Sequence, residues 1–414
     1  MATPRIAPVF ACLLLFAIPG APAAGPRVMR VLAMGEVDTS YCPIWGYCEA
    51  EPSLDATLVV ARDMHATTYG ETGLKKIIRL YLPRDLQDML EYDFILINQP
   101  VVQYFPPNSL QDIYLAISEH GTGALCFMES QYSDIYLPWL QTQVYDCFPY
   151  DHSRNLKLGA PGDKPFDLEI VRDPNLPPLM TPYIPLGIES IKPFGECRPT
   201  FERPGATIWA YCRTNAFAGA GVTSFPLFIS WRYGPGNALV WVTADQFDTS
   251  MWRTNDGKER YALDIFTGFI WLSSGWQLPD DPVRIHIMRD SFTQLRSRVG
   301  LVSNIIEFAD SFGANTRQVE SRLGGLQLMG QQAGELYLDH EFDLAESKMG
   351  EAFDLASEIE AESVALKDRA LTWVYLVEWL TVTSTAALSG VAVWSLMVKR
   401  RMFHPVSVTR GLGD

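Results

Sequence analysis

Basic residues are scarce in this sequence: 33 Lys and Arg stand against 48 Asp and Glu, for a formal net charge of −15. So acidic a chain lacks the cationic surface that phosphate backbones demand, which excludes nucleic acid as a partner. Histidine is rarer still, at six residues. No CxxC or His-x-x-x-His spacing gathers metal ligands, so no metal or cofactor is expected. Long uncharged stretches are also few. There is one at each end of the chain, and together they set the compartment.

Residues 1–24 read as a secretory signal peptide. Arg5 supplies the positive start, Ala7 to Ile18 is a short apolar run, and small residues follow at Ala21, Ala23 and Ala24. The run is too short for a bilayer, which needs about 20 residues. Cys12 lies inside it and is expected to be discarded with it. At the other end, Trp379 to Val398 carries no charge and is long enough to span as a helix. Lys399, Arg400 and Arg401 close it, while Trp373, Tyr375 and Trp379 on one side and Trp394 on the other are placed like interfacial aromatic belts. The expectation is a single-pass protein of the cell membrane. Its span covers residues 371–398, the tail 399–414 is cytoplasmic, and the N-terminal mass is extracytoplasmic. The lipid bilayer is then its first partner. Ala386 and Gly390 stand four apart, a face small enough for another helix to approach. Glu378, at the outer edge, is either a carboxylate wetted by headgroups or a polar contact to a partner helix.

Without Cys12, six cysteines remain: Cys42, Cys48, Cys126, Cys147, Cys197 and Cys212. An even number in an exported chain favours disulfides. Sequential pairing (Cys42–Cys48, Cys126–Cys147, Cys197–Cys212) is the preferred scheme among the 15 or so arrangements six cysteines allow.

Residues 25–278 alternate apolar runs with helical patterns, as in an α/β sheet. Strands are expected at 27–34, 56–61, 93–98 and 123–128, with helices at 84–92 and 110–119. Continuous apolar strands with helices between them indicate a parallel sheet covered on both faces. Residues 151–225 loosen into Pro- and Gly-rich sequence, read as an irregular insertion. A hairpin follows over 226–243, then an amphipathic helix over 261–274. Residues 279–370 form a helical stalk or hairpin. Within it Phe342, Ala345, Met349, Ala352, Ala356, Ile359 and Leu366 trace a heptad seam. That seam is expected either to pack within the chain or to pair with another copy or another protein, giving a homo- or hetero-oligomer.

Three pieces of the α/β segment resemble a known family. Leu82-Pro83-Arg84-Asp85-Leu86 followed by Tyr92-Asp93-Phe94-Ile95-Leu96-Ile97 is similar to a segment of putative class I glutamine amidotransferase-like domains. His120-Gly121-Thr122-Gly123-Ala124-Leu125 resembles the turn and strand that follow there. Pro226 to Trp241, with Thr243-Ala244-Asp245 and Trp252, resembles the family's closing segment. The likeness covers roughly residues 28–275 and implies a flavodoxin-like parallel sheet with flanking helices, followed here by the helical stalk and one transmembrane helix. Amidotransferase chemistry needs a cysteine on a sharp strand-to-helix elbow, activated by His and Glu. Cys126 falls inside a strand, Ala244-Asp245-Gln246 stands where a His-Pro-Glu is required, and His65, His120 and His152 lie elsewhere in the pattern. The catalytic residues are absent.

What remains is the rim at the carboxyl ends of the strands, where open α/β sheets bind ligands. Glu36, Asp38, Glu129 and Asp245 fall there, either as caps for turns and helices or as a cation or acid/base site. The sequence therefore points to a non-catalytic, membrane-anchored binding or assembly module. The alternative is an extracytoplasmic hydrolase or metal-dependent enzyme built on those carboxylates.

Overall fold

A computed structural model describes residues 28–402, apart from 38–43, 63–68, 128–137, 140, 152–163, 191, 193, 196–198, 245–251 and 253–259. The expected signal peptide, residues 403–414 of the expected cytoplasmic tail, Cys42 and Cys197 lie outside the described residues.

The chain opens with β1 (Met29–Gly35), α1 (Ile44–Ala50) and β2 (Leu54–Val60), then α2 (Gly70–Tyr81), α3 (Leu86–Met89) and β3 (Phe94–Asn98). It continues through α4 (Pro107–Ser118), β4 (Gly123–Phe127) and α5 (Gln143–Asp146) to β5 (Lys164–Pro165), β6 (Asp167–Ile170), β7 (Phe194–Gly195) and β8 (Thr207–Arg213). The hairpin β9 (Ser224–Tyr233) and β10 (Ala238–Thr243) precedes α6 (Ala262–Ser273). Three long helices close the chain: α7 (Pro282–Ser311), α8 (Arg317–Leu338) and α9 (Phe342–Met402).

The main sheet has eight strands in the order β2-β1-β3-β4-β10-β9-β8-β6. The first five are parallel and the last three antiparallel, so the sheet is mixed. β3 and β4 are wholly apolar but for Asn98, and every residue in them is buried, as central strands covered on both faces require. Alternate side chains enter two cores. Val31, Phe94, Leu96, Leu125 and Trp241 face α1, α6 and the long helices. Leu32, Ile95, Ile97, Ala124 and Val240 face α2, α4 and α5.

Two glycines are required by close approaches. At Gly35 (φ +116°) a Cβ would lie 1.8 Å from the Asn98 carbonyl oxygen, where β1 and β3 end side by side. At Gly234 (φ +67°), in the β9–β10 turn, a Cβ would sit 2.3 Å from the carbonyl of Ser118 at the end of α4.

The stretch 151–225 is more ordered than its composition suggests. It supplies β6 and β8, which extend the sheet beyond β9. Its Thr-Ile-Trp-Ala-Tyr-Cys run has the β-branched and aromatic content of a strand, and the surrounding prolines obscure it.

The heptad seam is closed within the chain. Ala345, Met349, Ala352, Ala356 and Ile359 of α9 are buried against α7 and α8, in one core with the near face of the sheet. α7 begins with Asp281 as its cap, accepting from the Arg284 amide at 3.0 Å, and with Pro282 in its first turn. Arg284 then bridges to Asp343 (2.6 Å) and Glu346 (2.8 Å) of α9, and Arg322 of α8 to Glu358 and Glu362. These exposed pairs set which faces meet and add little stability. α9 runs unbroken for 61 residues, about 90 Å at 1.5 Å per residue. It is long and apolar enough to cross a membrane, and among the described residues none covers its apolar part.

The Cys126–Cys147 disulfide expected from the sequence is not formed, and Cys212 is also free. Cys126 is built into the central strand β4, with Ile97 and Val242 as neighbours in register. Cys147 ends α5 in the same core. Buried thiols of this kind pack as small apolar groups. Burial pushes both the Cys126 and Cys147 thiols up to about 12, so neither is a thiolate at neutral pH. In the native protein these two cysteines should resist alkylation and label only after denaturation. Rapid labelling of either by maleimide in the folded chain, read by peptide mapping, would contradict this packing.

The seam gives a second expectation. Ile359→Ala should cost about 2–5 kcal/mol of stability, as buried Ile truncations do. Leu344→Ala, on the exposed side of the same helix, should stay within about 0.5 kcal/mol. Chemical denaturation of the full chain in detergent reads both.

Candidate functional site

Of the four rim carboxylates, only Glu36 belongs to the described residues; Asp38, Glu129 and Asp245 do not. Glu36 follows β1 and is 5% exposed. Its amide donates to the Asn98 carbonyl (2.7 Å), and Asn98 Nδ2 donates back to the Glu36 carbonyl (2.6 Å). Its carboxylate lies 3.7 Å from Arg62, whose guanidinium also donates to Gln99. Gln99 takes up φ +55°, a left-handed conformation uncommon outside glycine and asparagine. Glu36 is thus engaged in a buried knot that ties the ends of β1, β2 and β3 together.

The largest cluster of buried charge lies elsewhere, where the sheet domain meets the long helices. Its centre is Arg289 of α7, 4% exposed. Arg289 Nε donates to Glu51, which sits fully buried between α1 and β2. Nη1 donates to Asp264 of α6 at 2.6 Å. The Tyr337 hydroxyl of α8 donates to the same Glu51 oxygen at 3.0 Å, and the guanidinium lies 5.0 Å from the Trp271 ring centroid. Burial disfavours the charged guanidinium, but Glu51, Tyr337 and Asp264 more than offset this and hold Arg289 well above its ordinary value. Burial likewise pushes the Tyr337 hydroxyl well up.

His286 joins the cluster one turn before Arg289. Its Nδ1 lies 2.7 Å from the second Asp264 oxygen, while Nε2 is 3.9 Å from Asp290, too far for a hydrogen bond. Tyr261 packs against the ring at 5.0 Å, and Tyr183 stacks on Tyr261. Burial acts to lower the His286 pKa, but the hydrogen bond and charge of Asp264 outweigh it, and the net shift is upward. The balance of charge agrees. Two carboxylates, Glu51 and Asp264, share one guanidinium, so protonated His286 brings the four groups to neutrality.

His286 and Arg289 also form part of the wall of an open cleft of about 1030 Å³, lined on other sides by α1 and the start of β2. A histidine oriented by a carboxylate through Nδ1, with Nε2 left for whatever fills the space, can donate to an anion or exchange a proton. Among the described residues, no three His, Cys, Asp or Glu side chains group to hold a metal ion. At the other end of the chain, Glu378, Ala386 and Gly390 lie exposed on the apolar part of α9.

Sequence reasoning missed this junction, although it carried two signals. Arg289 stands in the apolar stripe Ile285, Met288, Phe292, Leu295 of α7, and Asp264 stands in an otherwise apolar α6. A charge at a core position calls for a partner.

The His286–Asp264 contact makes stability depend on pH. Because the folded pKa lies above the unfolded value of 6.5, its contribution is complete below that value and is lost as pH rises through the folded pKa. The Tm of the full chain in detergent should therefore fall between about pH 6 and pH 9, and His286→Gln should flatten that slope. An unchanged slope in the variant would exclude His286 as its source.

No family model matches the chain and no curated protein matches it. Among solved structures it is similar to Cytoplasmic Protein STM3548 from Salmonella typhimurium, at 14% identity and a TM-score of 0.41, over 59% of this chain and 99% of that one. A likeness at that level bears on neither fold nor function.

Proposed function

We propose that the chain is a membrane-anchored, non-catalytic binding or assembly module. In this reading a flavodoxin-like α/β domain outside the cytoplasm is carried on a helical bundle, and residues 371–398 cross the bilayer. The observation that carries it is the continuity of α9. Up to Ala370 the helix is covered by α7 and α8; beyond that, Trp373, Trp379, Leu388 and Trp394 are each more than 60% exposed. An uncovered apolar surface of that length needs a nonaqueous partner. Lys399, Arg400 and Arg401 end the helix, which favours a cytoplasmic C-terminus.

The five parallel strands in the order β2-β1-β3-β4-β10 support the flavodoxin-like assignment, and with it the resemblance to glutamine amidotransferase-like domains. The buried Cys126, its thiol pushed up to about 12, supports the absence of amidotransferase chemistry, which needs an activated thiolate. Glu36, spent on Arg62 within the strand-end knot, is no open acid or base.

The full chain should stay in the membrane pellet through an alkaline carbonate wash. Leu388→Arg combined with Val391→Arg should shift it toward the supernatant, each arginine costing about 3 kcal/mol at the middle of a span. In sealed vesicles, protease should reach residues 28–370 from one face only, and a tag after Asp414 from the other. Release of the unmodified chain by carbonate would overturn the reading.

A further inference from the structure

The turn between α7 and α8 carries apolar surface that the packing of the bundle does not use. Phe308 and Phe312, one helical turn apart at the end of α7, are 41% and 38% exposed, and their ring centroids meet at 4.9 Å, edge to face. The buried face of the same turns is already made by Val302, Ile306 and Ala309. The aromatic pair flanks that face and adds nothing to it.

Ion pairs between α7 and α9 fix the height of this tip. Arg284 reaches Asp343 and Glu346, and Arg298 reaches Ser357 and Glu360, so the two helices run in the same direction at a constant offset of 59 to 62 positions. At that offset Phe308 stands level with residues 367–370 of α9, and Phe312 with 371–374. Ala370 is the last buried residue of α9. The proposed span begins at Leu371, with Trp373, Tyr375 and Trp379 as its outer aromatic belt. The exposed rings of the tip therefore fall at the level of that belt.

The turn is chemically suited to such a boundary. The amides of Phe312, Gly313 and Ala314 donate to the carbonyls of Ala309, Asp310 and Ala309 at 3.2, 2.7 and 3.2 Å. Backbone donors satisfied within the turn lose little when water is withdrawn. The charges at this height are mixed: Glu307, Asp310, Glu320 and Asp368 face Arg317, Lys367 and Arg369. Attraction to an anionic surface needs a clear excess of cations, which is lacking here. Affinity for lipid has to come from the rings.

We infer that the α7–α8 tip is a second membrane contact, with Phe308 and Phe312 entering the headgroup and acyl boundary of the leaflet that α9 enters first. Apolar side chains in that layer reach about 5–10 Å deep, while neighbouring carboxylates stay among the headgroups. The inference rests on the proposed membrane span and adds to it that the bundle is seated on the bilayer. Attachment at both α9 and the tip opposes rocking of the bundle about the membrane helix.

The test uses the full chain in phosphatidylcholine nanodiscs, spin-labelled in turn at Phe308→Cys, Phe312→Cys, Ile287→Cys and Leu388→Cys. All four positions are exposed, so these variants should fold. The unsubstituted chain, labelled in parallel, gives the background from native cysteines. Collision with oxygen, which concentrates in lipid, is compared with collision with a nickel chelate, which stays in water. Ile287, on the same helix about 30 Å from Phe308 at 1.5 Å per residue, is the reference for water, and Leu388 is the reference for the span. The expected oxygen-to-nickel ratio at Phe308→Cys and Phe312→Cys is several-fold above that at Ile287→Cys. If Leu388→Cys reports lipid while both tip positions match Ile287→Cys, the tip contact is overturned and the span stands. Protection of the tip labels from both reagents also overturns it, and marks a protein partner or a second copy at this surface. A water-like ratio at Leu388→Cys overturns the membrane reading, and the tip contact with it.

Discussion

Arg289 is the residue through which the two halves of this protein are joined. A guanidinium that is 4% exposed loses several kcal/mol of hydration, and only close, well-directed acceptors offset that loss. Here the acceptors come from separate parts of the fold: Glu51 from the α1–β2 connection and Asp264 from α6. Tyr337 of α8 completes the Glu51 end. The three groups meet only when the bundle sits on the sheet in one position. A purely apolar interface would tolerate sliding, whereas a buried charge network is satisfied in a single arrangement. Removing either carboxylate would leave an uncompensated buried charge, which is far costlier than the intact network is favourable.

That joint has a mechanical consequence. The heptad residues of α9 pack on α7 and α8, and α7 is pinned to the sheet by Arg289, so the direction of α9 is fixed relative to the sheet domain. Because α9 has no break before Met402, the orientation set at the junction continues to its uncovered end. If that end lies in a bilayer as proposed, the sheet domain is presented at a set distance and angle, not on a loose tether. The open cleft lined by His286 lies beside this joint, so anything that fills it or changes the charge on His286 acts at the point that determines that geometry.

The parts of the fold legible in the sequence are those where one physical signal acts alone. β3 and β4 read correctly because an uninterrupted apolar run can only be a central strand or a buried helix, and their five residues are too few for the latter. The β9–β10 hairpin reads from its Gly-Pro-Gly-Asn turn, and the seam from its spacing. α2 escaped notice because Gly70 and Gly73 sit in its first turn, where glycine argues against a helix; tertiary contacts of Leu74 and Ile78 override that local preference. The Cys126–Cys147 expectation failed for another reason. Counting cysteines says what an exported chain can oxidise, but not that Cys126 and Cys147 are already occupied as core side chains.

The candidate site was hidden because its members are far apart in sequence: Glu51, Asp264, Arg289 and Tyr337 span nearly 290 positions. Rim carboxylates attract attention in an α/β chain because ligands there follow from strand direction alone. Glu36 occupies that place and is nevertheless structural, since Arg62 and the Gly35–Asn98 crossing leave it no freedom. The junction follows a different rule: a charged residue inside an apolar stripe is stable only if the fold brings it an opposite charge. Applied to Ile285, Met288, Arg289 and Phe292, that rule predicts a buried carboxylate partner, though not which one. Four-group neutrality then carries the reasoning one step further. With two carboxylates and one guanidinium buried together, a fourth group that can take up a proton is needed nearby, and His286 is the side chain in that position.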